Sequence, residues 1–181
     1  MSPDISGSRG DVGDVATAIM EIDSCLKRIQ GTGTGKQGLP ELAAEQIVPT
    51  AAQAREVLVG YCTVIYLFIT LWRKASESSG KDLMAEVISS TVDRLQMMTR
   101  TVAPSTIPTM AALMTAAGMQ ASPNLWRAQF GDWRAEELSS VQATALLLAE
   151  GINRSAEDSD AALRLVMDAL GGAEEEGRNG E

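Results

Sequence analysis

The chain has 181 residues, 45% of them hydrophobic, 22% charged and 4% aromatic, which is enough apolar material for one domain with a core and too much for a disordered chain. Its formal charge of −9, with no basic cluster larger than the pairs Lys27-Arg28 and Arg73-Lys74, argues against autonomous nucleic-acid binding, which needs a basic face, and against docking on anionic lipid. The chain contains no histidine, so the usual proton carrier near neutral pH and the commonest metal ligand are both missing.

Residues 1–10 have neither the basic n-region nor the apolar h-region of a signal peptide and are expected to be disordered. Arg9-Gly10-Asp11 matches an integrin-binding tripeptide, but Asp11 is better explained as a helix N-cap. The first predicted helix covers residues 11–30. Val12, Val15, Ile19, Ile22, Leu26 and Ile29 follow one another at alternating steps of three and four, regular enough for coiled-coil-like pairing, and make this the candidate self-association helix.

A glycine-rich linker follows over residues 31–38, which would let the first helix pack on its own bundle or swap to a partner. Its Gly31-Thr32-Gly33-Thr34-Gly35-Lys36 run invites a phosphate-loop reading and fails it. Gln30 stands where the first glycine belongs, Gln37 stands where Ser or Thr should reach Mg²⁺, and a helix rather than a strand precedes the run. A short helical stretch with Leu42, Ala43 and Ile47 on one side ends at Pro49.

The next helix is placed over residues 51–76, with Thr50 as a cap. Residues 57–72 carry no charge and are apolar all round, so they must be wrapped by other helices or by lipid. Sixteen residues span about 24 Å as a helix, short of a hydrocarbon core of about 30 Å. The run also contains Gly60, Thr63 and Thr70, so a buried central helix is the preferred reading over a membrane span.

After a turn at Ser78-Ser79-Gly80, a helix over residues 81–102 presents Met84, Ile88, Thr91, Leu95, Met98 and Val102 as its seam, and Pro104 ends it. Residues 105–120 read as a small-residue helix with Pro108 in its first turn. Met110, Met114 and Met119 read first as ordinary core, with an adaptable partner-facing surface as the alternative, because Met fills irregular shapes. Ser122-Pro123 signals another start.

Trp126-Arg127-Ala128 returns seven residues later as Trp133-Arg134-Ala135. The plainer reading is that these tryptophans seal the ends of the core; because Trp and Arg are enriched at interface hot spots, Trp126, Arg127, Trp133 and Arg134, with Met110 and Met114, are also the candidate interaction surface. A helix starting near Glu136-Glu137 and running to about Asn153 turns Leu138, Val141, Ala145, Leu148 and Ile152 inward. The last helix begins near Ser159 with Leu163, Val166, Met167 and Leu170, Gly171-Gly172 is expected to stop it, and residues 173–181 form a disordered acidic tail.

The expected architecture is therefore all-α: one multi-helix bundle over residues 11–172, with about five main helices around the hydrophobic one. Cys25 and Cys62 lie in predicted helices outside any CxxC pair, which suits reduced thiols and a cytoplasmic setting. Eleven Arg against four Lys point to a GC-rich bacterial genome or its mobile elements. No catalytic, metal or cofactor constellation emerges. The expected function is a non-enzymatic interaction module that binds a protein partner or itself; the alternatives are a bundle for a small hydrophobic ligand and a membrane-associated protein using residues 57–72.

Overall fold

The computed structural model describes residues 14–31, 51–121 and 134–178, and among them every regular element is helical. The described residues form six α-helices: α1 Val15–Gly31, α2 Ala51–Ser76, α3 Leu83–Met97, α4 Ile107–Gly118, α5 Ala135–Ala156 and α6 Ala161–Arg178. Short 3₁₀ turns at Glu77–Ser79 and Pro104–Thr106 join α2 to α3 and α3 to α4.

The uncharged helix is buried as its sequence requires. Val64, Ile65, Phe68 and Ile69 of α2 have no exposed surface, and α2 packs against each of the other five helices. Its polar interruptions stay satisfied, with Thr63 Oγ1 donating to the Val59 carbonyl at 3.0 Å and Thr70 Oγ1 to the Tyr66 carbonyl at 2.8 Å. Arg55–Ser79, the one segment among the described residues long and apolar enough to cross a membrane, has more than half of its apolar window inside the bundle.

A second central helix was not expected. α5 also touches all five others, and residues 143–149 are buried in unbroken succession. Ala143, Thr144, Ala145 and Ala149 make this possible, because small side chains let neighbouring helices close in from several sides. Gly151 serves the same end, since a Cβ there would press to 3.1 Å on Val87 of α3. The buried hydroxyls pair: Thr106 and Ser140 lie 2.6 Å apart, and Thr144 donates to the Ser140 carbonyl at 2.7 Å.

Helix ends differ from expectation in three places. α1 is capped by Asp14, which accepts from the Thr17 N–H at 2.9 Å and the Thr17 hydroxyl at 2.6 Å; Asp11 lies outside the described residues. α3 stops at Met97, five residues early, yet Met98 and Val102 are still buried, because the turn after it folds back with the Val102 N–H on the Met98 carbonyl. α6 runs through Gly171-Gly172 to Arg178, so two glycines alone do not outweigh the helix on either side.

The α5–α6 corner is held by Asn153, whose amide donates to the Ser159 carbonyl at 2.7 Å and accepts from the Ala162 N–H at 2.9 Å. Glu157 takes a left-handed conformation there, with φ of 54°, without being glycine. The expected short helix near Leu42, the Thr50 cap and the Ser122-Pro123 start fall outside the described residues.

Contact between α1 and α2 depends on Gly60. The Asp14 N–H donates to the Glu56 carbonyl at 3.0 Å, and a Cβ on Gly60 would collide with the backbone carbonyl of Asp14. Gly60→Ala should lower stability by about 2 kcal/mol through overpacking, whereas Gly172→Ala, in open space within α6, should raise it by about 0.5–1 kcal/mol. Urea unfolding of both variants checks the opposite signs.

Asp14 gives a pH-dependent counterpart. Its hydrogen bonds from Thr17 hold the carboxyl below its ordinary value of 3.8, so its stabilisation is present above that pH and is lost as pH falls through the folded value. Asp14→Ala should cost about 1 kcal/mol at neutral pH, and the gap from wild type should close in acid; paired denaturation series at both pH values measure it.

Candidate functional site

Of the residues proposed for an interaction surface, Trp126, Arg127 and Trp133 lie outside the described residues. Arg134 is exposed and occupies the N-cap position of α5, where its N–H donates to the Glu137 carboxylate at 2.9 Å and its carbonyl accepts from the Glu137 N–H at 3.0 Å. Met110 and Met114 are not surface at all. Both are fully buried, because α4 packs against α2, α3 and α5 and its Met side chains fill the space between them. Met119, one residue beyond α4, is the exposed one.

The candidate self-association seam is likewise consumed within the chain. Ile22 and Leu26 are core residues, and Val15, Ile19 and Ile29 are partly buried against the same core; Val12 lies outside the described residues. The regular spacing identified a helix that packs, and its partner is the chain's own α2 and α5.

Sequence reading missed the polar group at this contact. Tyr61 of α2 is buried and donates its hydroxyl to Glu21 of α1, with the Gln142 side chain of α5 beside the phenol. Burial, followed by the hydrogen bond to Glu21 and the charge of Glu21, pushes the phenol well above its ordinary value of 10.0. Cys25 lies one turn beyond Glu21, and burial pushes its thiol up against a smaller opposing effect of Arg28. Neither cysteine forms a disulfide.

This arrangement favours the protonated phenol and the protonated thiol; it serves as a polar clasp between the packed helices. The only signal for it in the sequence is the presence of Tyr61 and Glu21 on separate helices, and no spacing rule connects residues forty apart.

A second polar group joins α3 to α5. Glu150 accepts from Arg154 at 2.8 Å, and Arg94 Nη2 lies 3.0 Å from its other oxygen, an ion pair lacking the angle of a hydrogen bond. Trp72 Nε1 is buried with no acceptor among the described residues. Next to it on α2, Arg73 donates to the Gly118 carbonyl at the end of α4. Among the described residues no three His, Cys, Asp or Glu side chains are placed to hold a metal ion. Comparison with protein-family models, with curated proteins and with solved structures found no match.

The clasp predicts an alkaline effect. A phenol whose folded value is raised contributes stability that is complete below pH 10 and is lost as pH climbs above it, because only the unfolded chain then ionises. Tyr61→Phe should cost about 1 kcal/mol at pH 7. The difference between wild type and variant should shrink above pH 10, as read from denaturation midpoints across that range.

Proposed function

We propose that this chain is a non-enzymatic helical interaction module, a regulator, adaptor or assembly component, that self-associates in the cytoplasm. One observation carries the reading: the apolar side chains left on the surface include a set at helical spacing. Leu163, Met167 and Leu170 of α6 stand at steps of four and three, with Met167 55% and Leu170 36% exposed. Leu163 is half-buried at the edge of the core, so the flank continues the packed face of α6 outward. Beyond it Gly171 and Gly172 face open space.

Anchors spaced in this way suit a partner helix laid along α6. A second copy is the partner to test first, since every copy carries the same flank and two-fold pairing is the commonest assembly. α1 gives no competing surface, because its seam is already used inside the bundle. Cys25 and Cys62, neither of them in a disulfide, fit a reducing compartment.

The test is size-exclusion chromatography with light scattering on detergent-free protein. Wild type should run at a multiple of 19.2 kDa, and the pair Met167→Glu and Leu170→Glu should return it to that mass with unchanged helical circular dichroism. A wild-type mass of 19.2 kDa at every concentration up to the solubility limit would remove self-association from the proposal.

A further inference from the structure

The eight methionines of the described residues divide into two groups with nothing between them. Met20, Met97, Met119 and Met167 are 70%, 81%, 77% and 55% exposed, whereas Met84, Met98, Met110 and Met114 are 8% exposed or less. The thiols belong with the protected group. Cys62 is buried, and Cys25 is half-buried against the core beside the Tyr61–Glu21 clasp.

We infer that, among the described residues, the peroxide-reactive sites are the four surface thioethers of Met20, Met97, Met119 and Met167, ahead of either cysteine. A sulfur lone pair attacks one oxygen of hydrogen peroxide, the O–O bond breaks, and the other oxygen leaves as water after proton transfer. Sulfur is oxidised to the sulfoxide and the peroxide is reduced. The step needs only that peroxide reach the sulfur, and exposure decides which sulfurs qualify.

Cysteine ordinarily reacts as the thiolate. Burial holds the Cys25 thiol in its protonated form near neutral pH, and Cys62 is closed off by packing. Exposure and packing together therefore favour the surface thioethers over the thiols. Because the four sulfoxides would form at the surface, methionine sulfoxide reductases could reach and restore them without unfolding the chain. At Met167 the product places a polar S=O between Leu163 and Leu170, which turns that flank of α6 from apolar to polar.

Met97 and Met98 provide an internal control, being adjacent in sequence and 81% and 8% exposed. The full-length folded protein is treated with hydrogen peroxide at less than one oxidation per chain, quenched, alkylated and mapped by mass spectrometry. Sulfoxide should form at Met97 at least about tenfold faster than at Met98, with Met20, Met119 and Met167 in the fast group and both thiols still alkylatable. Equal rates at Met97 and Met98, or loss of the free Cys25 or Cys62 thiol before the four sulfoxides appear, would overturn the inference. Association over α6 would shield Met167 alone, so the Met97–Met98 comparison and the thiol readout stand or fall separately from the proposed function.

Discussion

Two helices with long buried stretches govern this structure. α2 and α5 each pack against all five of the others, and each supplies part of the other's cover. A fully buried Leu, Ile or Phe contributes about 1.5–3 kcal/mol, so the run from Val64 to Ile69 and that from Leu146 to Leu148 supply much of the drive for the remaining helices to assemble. With so few aromatic residues available, space is closed by proximity rather than by bulk. Ala, Ser, Thr and Gly on α5 let backbones approach, and the hydroxyls brought inside all find carbonyls or one another.

What could be read from the sequence follows from that constraint. α2 was legible to both ends, because sixteen uncharged residues bounded by Arg55-Glu56 and Arg73-Lys74 leave one solution. The seams of α1 and α3 were legible because large apolar residues mark them at steps of three and four. α5 was read as an ordinary amphipathic helix, since Ala and Thr score as neutral and their burial depends on neighbours that no local pattern records. The same blindness left Met110 and Met114 open between core and interaction surface: a Met-rich helix looks identical whether it faces a partner or a core. The Tyr61–Glu21 clasp was invisible for a different reason, because two residues far apart in sequence meet only after three helices have packed.

The polar residues that might have suggested chemistry are occupied with holding helices together. Glu21 receives a phenol, Glu150 stands between two arginines, Asp158 binds Arg164 at 2.7 Å, and Asn153 fixes a corner. Such groups tie one element to the next with directional bonds, which apolar contacts alone do not supply. The interest of the molecule accordingly shifts to its outer faces, where α6 keeps apolar residues uncovered and where the reactive sulfurs are thioethers.

The close approach at Gly60 bears on how α1 finds its place. Residues 51–79 contain a single glycine, and the Asp14 backbone rests on it. Sliding α1 by one turn in either direction would set it over Glu56 or Val64, each with a Cβ where the carbonyl needs room. An apolar seam of Val, Ile and Leu is tolerant of such slips, because one aliphatic side chain replaces another with little loss. The glycine removes that tolerance, so a greasy and otherwise forgiving surface acquires one permitted alignment from the absence of a single methyl group.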